Sequence, residues 1–133
     1  MSDLAHRPVG ALSGGEWQRA LVARALAQEA RVLLLDEPVA SLDLGYQRQI
    51  YELVHRMCRE EGIAVVAADH HVDLQGIFCD RLILMDGGRV VIQGTPEEVL
   101  RSEILESVYH TPLIVSTDPE TGRPSVRWRF HER

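Results

Sequence analysis

Lysine is absent from this 133-residue sequence, and all 14 basic residues are arginines. A phosphate-binding loop of the type G-x-x-x-x-G-K-[ST] is therefore excluded within these residues, because the motif requires a lysine. The net charge is −6, and the arginines are scattered except in the C-terminal stretch RPSVRWRFHER, interpreted as a solvated strand. Nucleic acid is not expected as a partner, since phosphate binding depends on clustered basic residues.

Long apolar runs and cysteines are also scarce. No stretch approaches the roughly 20 apolar residues needed to cross a bilayer, and the start, MSDLAHRPVG, lacks the features of a secretory signal. The two cysteines, Cys58 and Cys79, stand in no metal-ligand spacing and are interpreted as reduced structural residues. We therefore expect a cytoplasmic protein, and the 45% hydrophobic content predicts a packed core.

Helical and strand patterns alternate in the first half of the chain. The apolar spacing predicts helices over 16–28, capped by Ser13, and over 44–60, each followed by an aliphatic strand buried on both faces, over 31–35 and 63–68. A strand, a helix and a second strand in this order predict a parallel crossover unit. Further along, the sequence predicts helices over 72–78 and 103–109, a helix start at Thr95 with Pro96 and Glu98, and hairpins around the turns DGG and 119–122.

Polar residues follow both aliphatic strands, at the edge where a parallel sheet places its chemistry. Asp36 and Glu37 end the first strand, and a carboxylate pair there suits a magnesium ion and a base that activates water. Their alternative role is a simple turn before Pro38. His70 ends the second strand and would lie beside the pair if the strands are neighbours. A metal shared with His71 is discounted, because adjacent residues on a strand point to opposite faces.

A serine and two glycines precede the first helix, as SGG at 13–15. Backbone N–H groups and the helix dipole at such a start attract phosphate. An ordinary helix cap explains the same residues, so both interpretations stay open at this point.

Four of these segments resemble the motifs of the ATP-binding cassette (ABC) family of ATPases. The matching segments are LSGGE at 12–16 for the signature motif, VLLLDE at 32–37 for the Walker B strand with its catalytic glutamate, SLD at 41–43 for the D-loop, and His70 for the switch histidine. DRLILMDGGRVVIQGTPEEVL at 80–100 is similar to the hairpin and helix that close such domains. The resemblance covers nearly the whole chain.

The resemblance implies a role for each motif residue. The nucleotide site would bind ATP with Mg²⁺. Its residues would be Glu37 and His70 for catalysis, Asp36 for the magnesium ion through water, and Ser13, Gly14, Gly15, Glu16 and Asp43 for ATP binding. Ser13 and Gly15 would face the γ-phosphate of an ATP held by a second subunit, and Asp43 would communicate across that homodimer.

The fold implied by the resemblance is α/β, a P-loop NTPase-like ABC nucleotide-binding domain without its N-terminal Walker A part. Residues 1–30 would end the helical subdomain, 31–100 would hold the Walker B, D-loop and switch-histidine core, and 101–133 would be a C-terminal extension. Met1 would be an internal methionine of a longer protein. Alone, the chain is expected neither to bind ATP tightly nor to hydrolyse it, because the phosphate loop supplies most of the grip on the triphosphate.

The function implied is the ATPase subunit of a transporter. The tail from 104 to 126 resembles the extension in importers of iron-siderophore, haem or cobalamin complexes. The expected partners are a second copy and integral-membrane permease subunits, with the chain at the cytoplasmic face of the membrane. The alternatives are a soluble cassette protein acting on DNA or ribosomes, and a non-catalytic remnant with exposed apolar faces that aggregates.

Two departures from the family pattern flank the switch position. Asp69 stands where an apolar or small residue is commoner, and His71 replaces the usual aspartate. Counting back from CDRL at 79–82 favours His70 as the switch histidine, with His71 as the alternative. Asp69 would add a third carboxylate near Asp36 and Glu37.

Overall fold

The computed structural model describes residues 6–40 and 42–130, and the chain divides into two units between His70 and His71. The first unit contains a short 3-10 helix Val9–Ala11, α1 Gly14–Leu26, β1 Val32–Asp36, α2 Leu44–Glu60 and β2 Ala64–Ala68. The second contains α3 Val72–Phe78, β3 Leu82–Asp86, β4 Arg89–Gly94, α4 Pro96–Val99, α5 Ser102–Tyr109, β5 Leu113–Thr117 and β6 Pro124–Trp128. The division lies inside the 31–100 segment.

The first unit is built on a parallel pair of strands. β1 lies beside β2 in a register that runs from Val32 opposite Ala64 to Asp36 opposite Ala68. The predicted crossover is confirmed: α2 connects the strands, packs against β2 and has the predicted bounds. β1 is shifted by one residue from the predicted 31–35, and β2 begins one residue after the predicted start at 63. α1 is capped by Ser13 as predicted, but it begins and ends two residues earlier than the predicted 16–28.

The sheet has one covered face and one exposed face. Leu33 is only 8% exposed, whereas Leu34, next along the strand, is 74% exposed and its neighbour Val66 is 58% exposed. The prediction that both faces are buried is therefore wrong for this chain. A parallel sheet buries both faces only where a layer packs on each side, and within residues 6–40 and 42–130 no such layer covers Leu34.

The second unit contains two antiparallel hairpins, as predicted. The first pairs β3 with β4 through Gly87 and Gly88, whose φ values of +52° and +76° suit the tight turn. The second pairs β5 with β6 through a loop in which Asp118 accepts hydrogen bonds from the Thr121 N–H and hydroxyl. These bonds hold the pKa of the Asp118 carboxyl below its usual range.

A hydrophobic core joins the helices and hairpins of the second unit. Its buried residues are Leu82, Val99, Leu100, Leu105 and Leu113. The predicted cap of α4 is confirmed, since the Thr95 hydroxyl accepts from the Glu98 N–H, and the Glu98 carboxylate accepts from the Thr95 N–H. Across the described part of the chain, no helix combines the length and the apolar character needed to span a membrane.

Candidate functional site

The N-terminus of α1 is a capped helix end that faces solvent. The Ser13 hydroxyl accepts a 3.3 Å hydrogen bond from the Glu16 N–H, and the Glu16 carboxylate accepts one of 2.9 Å from the Ser13 N–H. Glu16 also lies 3.4 Å from the Arg7 guanidinium. Ser13 and Gly14 are exposed, so the first N–H groups of a 13-residue helix are open to an anion. The predicted cap is confirmed, and Glu16 is part of it.

Gly15 brings this helix start close to the segment that follows β1. A Cβ atom at Gly15 would lie 3.6 Å from the Leu42 side chain and 3.9 Å from the Tyr46 ring. Asp43 caps α2, because its carboxylate accepts a 2.9 Å hydrogen bond from the Tyr46 N–H. The D-loop and the signature motif are therefore neighbours; Ser41 lies outside the described residues.

The carboxylate pair sits at the carboxyl end of β1. Asp36 is the last residue of the strand, and the Glu37 N–H continues the pairing by donating 2.8 Å to the Ala68 carbonyl. Glu37 has a φ of +43°, a left-handed conformation that is uncommon for a residue other than glycine. The Ala40 N–H donates to the Glu37 carbonyl at 3.1 Å, and the next two residues, Pro38 and Val39, are buried. The backbone of Glu37 is thus held by both strand pairing and a turn.

The two predicted catalytic side chains lie together. The Nδ1 atom of His70 is 3.6 Å from the Glu37 Oε1 atom, and the two side chains are 65% and 58% exposed. This distance is longer than a hydrogen bond. The two side chains form an ion pair only if the imidazole is protonated. The expectation that His70 lies beside the pair is confirmed, because β1 and β2 are adjacent strands.

Asp69 points inward, unlike Glu37. Its side chain is fully buried, and its two oxygens accept short hydrogen bonds of 2.6 Å from the Tyr51 hydroxyl and from the His70 N–H. Sequence reasoning missed Tyr51. The available signal was a hydroxyl-bearing residue on the otherwise apolar face of a predicted helix, beside Ile50.

The two histidines follow β2 rather than lie in it. β2 ends at Ala68, and His71 is the residue before the first turn of α3. The argument that strand alternation prevents His70 and His71 from sharing a metal ion is therefore wrong, because neither belongs to a strand. Of the two, His70 is the one in contact with Glu37.

Asp36 has the chemistry that a magnesium ion requires. Mg²⁺ prefers oxygen ligands and keeps several waters, and Asp36 is an exposed carboxylate one residue before Glu37. A magnesium ion here would neutralise charge on the phosphates of a bound nucleotide. Asp36 fits this role as a ligand acting through water.

Comparisons relate the chain to known proteins. The family model described as ABC transporter matches residues 1–40. The cobalamin import ATP-binding protein BtuD of Halobacterium salinarum is 46% identical over 126 residues, which are 95% of this chain and 32% of that protein. An inward-facing putative metal-chelate type ABC transporter has a TM-score of 0.87 and 27% identity, over 97% of this chain and 52% of the other.

A further solved structure is a dimer with nucleotide. It is the ATP-binding cassette MJ0796 in a post-hydrolysis state bound to ADP and Pi, with a TM-score of 0.65 and 30% identity over 71% of this chain and 40% of that one. The chain thus spans between about a third and a half of the length of the proteins it matches.

The crossover unit, its edge carboxylates and the capped glycine turn define an α/β nucleotide-binding fold of the P-loop NTPase type. Within that class the relatives are ATP-binding subunits of importers. Over 95% of its length the chain is similar to an ATP-binding protein of that kind, and its first 40 residues match the ABC transporter model.

Proposed function

We propose that the chain provides the hydrolytic half of an ATP site. The observation that carries the proposal is the approach of the His70 Nδ1 atom to the Glu37 Oε1 atom, 3.6 Å apart at the carboxyl edge of a parallel strand pair. Both side chains are exposed, so a substrate can reach them. A carboxylate and an imidazole side by side are suited to move a proton and to contact a phosphate.

Each residue then has one chemical task. Asp36 holds the magnesium ion through water. Glu37 orients an attacking water and takes its proton, and His70 contacts the terminal phosphate. Catalysis of this kind depends on positioning and on charge, which explains why the backbone of Glu37 is fixed by the Ala68 carbonyl on one side and by a turn on the other.

The start of α1 serves a second nucleotide in this proposal. Gly14 and Gly15 offer backbone N–H groups at the positive end of a helix dipole, beside the exposed Ser13. They face the γ-phosphate of an ATP bound to the Walker A loop of a second nucleotide-binding subunit, and Asp43 lies at the same interface. The dimeric relative with ADP and Pi supports this arrangement.

The transported cargo is a metal chelate, of the iron-siderophore, haem or cobalamin class. The cobalamin importer and the metal-chelate transporter among the relatives support this class.

ATP-driven dimerisation drives integral-membrane permease subunits, and the protein works at the cytoplasmic face of the membrane. Purification of the tagged protein with a membrane subunit supports transport, whereas purification with nucleic acid or ribosomes contradicts it.

The test is the substitution Glu37→Gln in the product of the complete reading frame. Removal of the base lowers ATP turnover by about 100-fold or more, while ATP-dependent dimerisation persists because the phosphate contacts remain. Steady-state phosphate release and light scattering measure the two properties. Glu60→Gln, at an exposed position in the last turn of α2, is the matched control. Full hydrolysis by the Glu37→Gln protein would identify another base and reject the proposal.

A further inference from the structure

We propose that Asp69 and Tyr51 are positioning residues that hold His70 beside Glu37. The inference rests on the proposed function, because it assigns a role to the neighbours of the proposed switch histidine. Neither residue is exposed to a substrate: the Asp69 side chain is fully buried, and Tyr51 is 6% exposed. Both therefore act through His70 rather than on the nucleotide.

A buried carboxylate persists only where donors satisfy its oxygens. Asp69 has such donors on both oxygens, the Tyr51 hydroxyl on Oδ2 and the His70 N–H on Oδ1, each at 2.6 Å. Hydrogen bonds to an ionised group are shorter and stronger than neutral ones. The Asp69 carboxylate consequently fixes the backbone at His70 to a side chain on α2.

This connection joins the crossover helix to the end of β2. Tyr51 lies 18 residues before Asp69, in the second turn of α2, and the side chain of its neighbour Ile50 is buried. The tyrosine is therefore anchored by the core, and its hydroxyl sets where Asp69 and the following backbone lie. A shift of α2 would move His70 with it.

The same carboxylate also lies near the imidazole. The His70 Nδ1 atom is 3.9 Å from the Asp69 Oδ1 atom and 3.6 Å from the Glu37 Oε1 atom. Two carboxylates thus face the same ring nitrogen, one buried and one exposed.

The expectation that Asp69 joins Asp36 and Glu37 as a third active-site carboxylate is replaced by this role. Glu37 is 58% exposed at the side chain and Asp69 is 0% exposed. The two carboxylates therefore differ in exposure: Glu37 can meet a substrate, whereas Asp69 can act only through its protein neighbours.

The first test observes His70 directly by NMR in the product of the complete reading frame. A short hydrogen bond to a carboxylate shifts the amide proton downfield and slows its exchange with solvent. In Asp69→Asn the His70 amide signal moves upfield, and its exchange with solvent accelerates at least about tenfold. Tyr51→Phe changes the amide shift and the exchange rate in the same direction but by less. Asp86→Asn and Tyr109→Phe, at exposed positions in the second unit, leave the signal unchanged.

The controls also separate positioning from folding. The exchange of core amides in Ile50 and Met57 reports the stability of the first unit and stays constant in Tyr51→Phe if the effect is local. If Asp69→Asn unfolds the unit, Tyr51→Phe carries the test, because it removes one oxygen and keeps the buried ring. A His70 amide unchanged in Tyr51→Phe and in every folded Asp69 variant overturns the inference.

The second test measures turnover in the product of the complete reading frame. Tyr51→Phe lowers kcat by about 10-fold through loss of alignment, and KM for ATP stays the same because the residue does not touch the nucleotide. Full turnover with a displaced His70 amide would overturn the positioning role alone. Full turnover in Glu37→Gln would instead overturn the proposed function, so the two failures are distinguishable.

Discussion

Gly76 is a position in the second unit where an added side chain would meet backbone. A Cβ atom there would lie 2.8 Å from the Pro124 carbonyl oxygen and 2.9 Å from a Leu100 methyl group. Gly76 lies in the middle of α3, where alanine would be favoured over glycine by about 1 kcal/mol on helix propensity alone. Steric overlap with backbone costs about 1–3 kcal/mol, and the carbonyl cannot rotate away as a side chain can.

We therefore expect Gly76→Ala to lower the free energy of unfolding by about 1–2 kcal/mol. Gly45→Ala is the matched control, because a Cβ atom in that first turn of α2 meets only the Asp43 carboxylate, at 3.4 Å. That control is neutral or slightly stabilising. Urea unfolding followed by circular dichroism measures both, and equal stability of the two variants would contradict the steric explanation.

The chemistry of single residues was only partly predictable. Glu37 and His70 could be paired from sequence, since each follows a strand and adjacent parallel strands end at one edge. The direction of Asp69 could not be predicted, because it depends on a tyrosine 18 residues away on another element. The left-handed φ of Glu37 belongs to the turn before buried Pro38, which the sequence had offered as the alternative role of the carboxylate pair.

At the scale of elements, the N-terminus of α1 combines a helix cap with a proposed phosphate contact. Ser13 caps the helix, and in the proposed function it also faces a phosphate. Substitutions at Ser13 can separate the capping role from the phosphate contact. Aspartate is as good a cap as serine and suits the positive end of the dipole, but its charge repels a phosphate.

We expect Ser13→Asp to keep α1 intact and to abolish ATP-dependent dimerisation. Ser13→Ala removes the cap and costs about 1 kcal/mol of stability. Helix content and thermal unfolding of the chain test the cap, and ATP-dependent association of the product of the complete reading frame tests the phosphate contact. Normal association of Ser13→Asp would mean that Ser13 is a cap only.

Helix and turn boundaries were the most predictable features. Thr95 with Glu98, and the pair Gly87 and Gly88, act through hydrogen bonds and dihedral angles within a few residues. The shift of α1 to Gly14 has the same origin, because glycines after a cap can join the helix even though their propensity is low. These caps and turns could be predicted because the interactions that form them lie within a few residues of one another.

At the scale of the whole molecule, the exposed sheet face decides how the chain behaves in solution. Val32, Leu34 and Val66 present apolar side chains on that face, with exposures of 54%, 74% and 58%. Apolar patches of this kind favour association, and a sheet of two strands also leaves backbone groups at its edges. The chain alone is therefore expected to self-associate.

The double substitution Leu34→Thr with Val66→Thr should shift the chain toward monomer. Threonine is β-branched and therefore suits a strand, and it reduces the apolar area at both positions. Leu44→Thr is the matched control, because Leu44 is 82% exposed at the start of α2 and not on the sheet. Sedimentation velocity measures the distribution. A wild-type chain that is monomeric and unfolds cooperatively on heating would contradict the expectation.

The sequence by itself determined the elements, the caps and turns, and the family motifs, since these depend on residue type and short spacing. The tertiary structure alone decided which sheet face is covered, how close the His70 and Glu37 side chains come, and that the Asp69 side chain is buried. The reason is physical: burial and hydrogen bonding across elements arise only when distant segments meet. A side chain such as Asp69 acquires its role from the hydroxyl that the fold places against it.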